Sequence, residues 1–270
     1  MKLQLAIWIV LAFLGGSFFS CAAKTPEKKE TSSQQAPKKL PAAAPAQKPE
    51  PSLRYEPMKE TLFSSGYGAY CDSIAKYQPE RYAHLTDEDF KRVAAELEIE
   101  PAAIKAVVVI EAGSQMRGFY APGVPVINFD PTMYAQFKNK VKDKSGVKGE
   151  NVPSGLTGYA LKEYRELINA RKNNAEGALM GTFWGMFQIG GFNYKRCGCE
   201  SVEELVNKMS YSEFEQLELF AIFIKNSGML EYLKNKNWAA FAKRYNGPGY
   251  AKRGYHTKMA NAYKKFSAQM

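Results

Sequence analysis

Lys105–Ser114, "KAVVVIEAGS", is the stretch that decides how this chain of 270 residues is read. An apolar run ends in one carboxylate, Glu111, followed at once by Ala112, Gly113 and Ser114. Upstream, Pro101 supplies a helix start, because its fixed φ suits the first turn and its missing N–H is not needed there. Gly113 supplies the stop, since glycine takes the left-handed conformation that closes a helix without a steric penalty. Within "PAAIKAVVVIEAG", Ile104, Val107, Val108 and Glu111 recur at spacings of three and four, which puts Glu111 on the apolar face. There the anion is disfavoured twice, by apolar surroundings and by the negative end of the helix dipole. Glu111 is therefore either a solvated helix-end charge or a reactive acid.

Outward from this helix the chain reads as helical on both sides. "TDEDFKRVAAELEI", 86–99, opens with Thr86 as an N-cap and acids in the first turn, and its Phe90, Val93, Ala94 and Leu97 follow helical spacing. Between Phe119 and Phe129, "FYAPGVPVINF" carries Pro and Gly turns and a short β-like run, and Asp130 stands where it can cap a helix starting near Pro131. The spacing then predicts helices over 155–175, 183–195, 201–209, 212–227, 229–236, 238–245 and 251–267. There is no internal repeat, no heptad pattern and no βαβ alternation. The fold class is mainly α, with a small β element near the middle.

The N-terminus has a different character. "MKLQLAIWIVLAFLGGSFFSC" has Lys2, an apolar core from Leu3 to Leu14, and then Gly15, Gly16 and Ser17, the form of a signal peptide over 1–20. It is too short and too soon interrupted for a membrane span of about 20 apolar residues. "FFSC" resembles a bacterial lipobox, with Cys21 as the acylated residue; the alternative is an ordinary secretory signal cut near Ser20 or Ala23. Acyl chains on Cys21 would hold the protein on a membrane, and Ala22 after the cysteine resembles sorting to the outer membrane, facing the periplasm. Residues 21–57 are rich in Pro, Ala, Lys, Gln and Ser, too poor in apolar side chains to offset ordering, and read as a disordered tether. The globular domain is expected over 58–270.

Of four cysteines, Cys21, Cys71, Cys197 and Cys199, acylation of the first leaves three, which allows one bridge at most in an export compartment. "RCGC" lacks a second ligand pair at metal spacing, and His84 and His256 are the only histidines, so no metal site is expected. Net charge is +10, from 37 Lys+Arg against 27 Asp+Glu. Such a balance fits a basic soluble surface or attraction to an anionic polymer, and does not by itself choose among nucleic acid, anionic lipid and an acidic wall polymer.

Three stretches in fixed order carry the chemistry: "IEAGSQMRGF" (110–119), "GTFWGMFQIGGFNY" (181–194) and "RYNGPGYAKRGY" (244–255). Together they resemble the lysozyme-like superfamily. There an acid ends the first core helix, a stretch like Gly185–Ile189 lines the cleft, and a step like Tyr245–Asn246 faces the acid. "WGMFQIGGFNYKRCG" and "WAAFAKRYNGPGYAKRGYHTKMANAY" look closer still to the N-acetylmuramidase family of phage endolysins and bacterial exported proteins, over about 85–266.

The resemblance implies a lysozyme-like α-helical domain with its β element near a cleft. It implies cleavage of the β-1,4 bond between N-acetylmuramic acid and N-acetylglucosamine in peptidoglycan, without cofactor, with Glu111 as general acid. Asp130, where the family has Glu after Phe, is a second carboxylate that activates water or steadies the cationic transition state, or only a helix cap. Tyr245 is expected to hydrogen-bond the acid, Asn246 to hold an N-acetyl group or hydroxyl, and Gln188 to donate to a sugar. Trp184 is open between sugar stacking and core, whereas Phe187 and Trp238 read as core. Ser114 stands displaced from the family's Ser after the acid, where Ala112 is found. The expected partners are a peptidoglycan strand and, through Cys21, a membrane; no nucleic acid is expected, and the protein is expected to be a monomer. Two competitors remain: a lytic transglycosylase leaving 1,6-anhydro ends, and a wall-binding lipoprotein without turnover.

Overall fold

A computed structural model describes residue 76 and residues 78–269. The signal peptide, Cys21, the tether, Cys71 and the first residues assigned to the domain lie outside the described residues. Among those described, no helix is long and apolar enough to cross a membrane.

Helix α1, Asp87–Leu97, begins as its sequence requires. Thr86 Oγ1 accepts from the Asp89 N–H, and the Asp89 carboxylate accepts from the Thr86 N–H, a reciprocal capping box. Phe90, Val93, Ala94 and Leu97 are its buried face. Helix α2, Pro101–Glu111, is buried on every side from Ala102 to Val108. Even Lys105 is inside, its Nζ reaching Asp87 Oδ1 at 2.6 Å. Gly113, at φ +80°, takes the left-handed turn after the helix.

The β element holds more strands than the sequence suggested. β1 (Phe119–Ala121) and β2 (Val124–Pro125) form a small hairpin. β3 (Ile127–Phe129), β4 (Thr182–Trp184) and β5 (Ile189–Gly190) form an antiparallel sheet in that order, with Ile127 opposite Trp184 and Trp184 opposite Ile189. Helices α3 (Pro131–Phe137), α4 (Gly158–Arg171), α5 (Ala175–Met180), α6 (Val202–Met209), α7 (Glu213–Asn226), α8 (Leu230–Lys234), α9 (Trp238–Asn246) and α10 (Tyr255–Ser267) complete the domain, with a 3-10 turn over Gly191–Cys197. α10 packs along α2 and α9, while α7 packs on α1 and on the 3-10 turn. The result is the mainly helical, lysozyme-like architecture that the sequence implies.

Two expectations are corrected. The helix expected over 183–195 is a strand, a tight turn, a second strand and the 3-10 turn. Its apolar density mimics a buried helix, but Gly185 at φ +70° and Gln188 at φ +48° reverse the chain, and the Gln188 N–H closes the turn on Gly185 O at 3.1 Å. The helix expected over 155–175 ends at Arg171, and Asn174 caps the separate α5 through the Gly177 N–H.

Backbone elements meet without side chains between them at Gly191. A Cβ there would lie 2.1 Å from Leu179 O, the end of α5. Gly191→Ala should therefore force the sheet away from α5 and cost roughly 2 kcal/mol or more, measured as a fall in the midpoint of thermal or denaturant unfolding.

Candidate active site

The site is built where the ends of two helices meet. Glu111 closes α2 and Asn246 closes α9, and Asn246 Nδ2 donates to Glu111 Oε1 at 2.8 Å. Glu111 is half-buried. Removal of water from around its carboxyl pushes its pKa up from the ordinary 4.5 to about 7, and the Asn246 hydrogen bond offsets only part of that rise. The group thus keeps its proton in about half of the molecules at pH 7, where an ordinary glutamate would be almost wholly ionised. Asn246 is itself buried, and its Oδ1 faces no partner among the described residues.

Tyr245 sits beneath this pair. Its ring stacks on Phe241 with centroids 5.2 Å apart and meets Phe220 and Phe223 edge-on. Its hydroxyl donates to Phe187 O at 2.6 Å. This corrects the sequence expectation: Asn246, not Tyr245, bonds the acid, and Tyr245 instead ties the end of α9 to the β4–β5 turn. Burial, and then the nearby Glu111 charge, push the Tyr245 hydroxyl pKa well up. Asn246, expected on the sugar, is directed to the acid.

Gln188 stands on that tied turn, half-buried, in the left-handed region that non-glycine residues seldom adopt. Its Nε2 donates to Gly185 O at 2.9 Å, which fixes the amide beside the turn. Trp184 is a correction: it is fully buried, with its indole N–H on Leu179 O at 3.1 Å, so no sugar can stack on it. Phe187 is core as expected, stacked on Phe220. Ser114 lies exposed in the turn after α2 and is not brought to Glu111 by any hydrogen bond among the described residues.

Asp130 stands at the start of α3. It is wholly shut from water, and its Oδ1 accepts from the N–H groups of Thr132 at 2.8 Å and Met133 at 3.0 Å. That is the geometry of a helix N-cap, while Oδ2 is buried with no hydrogen-bond partner among the described residues. Two other buried carboxylates bond both backbone and side chains: Glu163 accepts from the Phe129 N–H and pairs with Lys162, and Glu213 accepts from the N–H groups of Leu85 and Gly118 and meets His84 Nδ1.

Sequence reasoning missed three residues. Gln216, fully buried, accepts from the Met186 N–H and donates to Gly118 O and Met209 O. Glu213 and Gln216 thereby hold both the N–H and the C=O of Gly118, in the loop that leaves Glu111. Their signal was weak: Glu213 and Gln216 lie one helical turn apart in "EFEQLELF", but Glu215 and Glu218 beside them leave that run half polar. Tyr255, at the start of α10, lies close enough to Glu111 to feel its charge; burial and that charge raise its pKa. Nothing in its own segment signals this, because the proximity comes from α10 packing along α2. Cys197 and Cys199 are both buried free thiols whose pKa values burial raises.

A helical domain that presents one protonated acid at the end of its core helix, beside a strained glutamine-bearing turn, defines a lysozyme-like glycosidase scaffold. The chain belongs to the N-acetylmuramidase family, whose pattern its residues 100–267 match. It is also similar to the crystal structure of the Burkholderia AP3 phage endolysin, at 34% identity and a TM-score of 0.56, over 73% of this chain and 76% of that one. A comparison with curated proteins returned no match.

The raised acid has a stability signature. The folded state holds the Glu111 proton more tightly than the unfolded chain, so its contribution is full below about pH 4.5 and is lost as pH rises through about 7. Glu111→Gln removes that loss. The variant should gain on wild type between these limits, by up to about 3 kcal/mol at pH 8, read from unfolding midpoints at pH 4 and pH 8.

Proposed function

We propose that this protein hydrolyses peptidoglycan at the β-1,4 bond between N-acetylmuramic acid and N-acetylglucosamine, with Glu111 as general acid. The observation that carries this is the Glu111 carboxyl, flanked by apolar residues and held by Asn246 Nδ2. Breaking a glycosidic bond requires a proton on the leaving oxygen and help for an oxocarbenium-like transition state. Glu111 gives its proton to the departing O4 as the C1–O4 bond breaks. The carboxylate left behind is met by the N–H that Asn246 already donates. Water then adds to C1, and its proton returns to Glu111. Gln188 supports the glycan through a turn that Tyr245 fixes relative to the acid.

A second reading has a specific observation behind it. Asp130 is a buried cap, and a mechanism that uses a single carboxylate is the route of a lytic transglycosylase, in which the sugar's own 6-hydroxyl replaces water at C1. The same acid serves both. Digestion of purified peptidoglycan with mass analysis of the fragments separates them: hydrated reducing ends support the muramidase, and anhydro ends, lighter by one water, support the transglycosylase. Glu111→Gln should lower either activity by about 10²–10⁴-fold; a variant as active as wild type would refute the assignment of the acid.

The rate should hold at acid pH and fall about tenfold per pH unit above about 7, as Glu111 ionises. Because the Asn246 bond favours the carboxylate, Asn246→Leu should move that descending limb to higher pH. A limb that stays in place would remove Asn246 from the role given to it here.

A further inference from the structure

A run of lysines stands on the loop after α3. Between Lys138 and Lys148 the chain reads "KNKVKDKSGVK", with lysines at 138, 140, 142, 144 and 148, and Lys172 borders the same loop. All six are exposed. Among the described residues none of the six is in an ion pair. The nearby acids are otherwise engaged: Glu150 pairs with Arg171, Glu176 accepts from the Asp143 N–H, and Asp143 accepts from the Ser145 N–H.

The loop is a fixed platform. The Val147 N–H donates to Arg171 O at 3.0 Å, the Ala175 N–H to Ser145 O at 2.9 Å, and Asn174 Nδ2 to Lys138 O at 2.9 Å. At Gly146 a Cβ would meet Lys172 O at 1.9 Å, so the loop lies directly against the chain between α4 and α5. Beside it Phe137 stacks on Phe192, centroids 5.0 Å apart, with Phe183 edge-on, and Lys140 stands over the Phe137 ring. Phe183 belongs to β4 and Phe192 follows β5, so this surface adjoins the sheet whose turn bears Gln188.

We propose that this lysine platform is a docking surface for the carboxylates of peptidoglycan stem peptides, holding the wall polymer beside the cleft; this rests on the reading of the protein as a peptidoglycan hydrolase. Lysine ammonium groups are compact point charges on flexible stems, which meet scattered carboxylates without the fixed bidentate geometry of an arginine fork, and the segment has no arginine. An anionic membrane is disfavoured as occupant, because an interfacial element inserts apolar side chains and Val147 is the loop's one exposed large hydrophobic. Since the backbone is pinned in advance, binding need not order it.

The test compares full-length wild type, a variant with Lys140, Lys142, Lys144 and Lys148 changed to Gln, and one with all four changed to Arg. Co-sedimentation with intact sacculi, with sacculi whose carboxylates have been amidated, and with anionic phospholipid vesicles gives the binding. Turnover of a soluble peptide-free glycan oligomer reports the catalytic site. The Gln variant should bind intact sacculi about tenfold or more weaker at low salt, and lose most of the salt sensitivity of binding. The Arg variant should bind like wild type, amidated sacculi should bind both poorly, and turnover of the oligomer should not change. Equal binding of the Gln variant, indifference to amidation, or a loss confined to vesicles would each overturn the proposal. Absence of turnover by wild type would instead strike the hydrolase reading, and the sacculus comparison would still decide the platform.

Discussion

Everything in this domain is arranged around a helix that cannot touch water. From Ala102 to Val108 each α2 side chain is enclosed, and the one cation among them, Lys105, reaches Asp87 at the start of α1. A helix apolar on every side must lie at the centre of its domain. Its neighbours α1 and α10 follow from that demand, as does the position of its last residue. α2 leaves the core over its last turn, where unpaired carbonyls make the local field negative. Glu111 stands at that exit. Enclosure and helix polarity act in the same direction, and the proton on Glu111 is a consequence of how the core is built.

The loops beside the acid are held by buried polar groups. Gln216 bonds to Gly118, after α2, and to Met186, in the β4–β5 turn, while Glu213 takes the Gly118 N–H. Buried amides and carboxylates must find partners or carry a large desolvation cost, so these two side chains fix the distance between loops far apart in sequence. Tyr245 does the same from α9 through Phe187 O. The three contacts make one rigid frame, and the strained Gln188 backbone persists because the frame over-determines it.

What could be read in advance follows from the range of each signal. The N-cap at Thr86, the Pro101 start and the Gly113 stop depend on residues within a turn of one another, and all stand as expected. Glu111 was legible because an acid on an apolar face violates its own helix. The 183–195 segment was misread because its apolar side chains are dense and follow no clear period; the strand pairing that decides it comes from Ile127–Phe129, more than fifty residues earlier in the chain. The partner of Glu111 was misassigned between neighbours. Tyr245 and Asn246 are adjacent in sequence, yet a helix end turns them in different directions, which spacing alone does not reveal.

Asp130 shows how side-chain length places a carboxyl at a helix start. At an N-cap a short side chain brings its oxygen back to the N–H groups two and three residues on, and Asp has the length for it. Both N–H groups of Thr132 and Met133 converge on Oδ1, and the side chain folds over α3. Glutamate, with one more methylene, is a poor cap and would extend past the helix end, where a carboxylate could meet solvent or substrate. The aspartate gains helix stability and gives up that reach. Among the described residues it is thus the pairing of Glu111 with Asn246, a carboxyl with a neutral amide, that stands where two carboxylates would otherwise divide the work. An amide favours the anion through one hydrogen bond without adding a charge, so it offsets only part of the rise that burial imposes on Glu111.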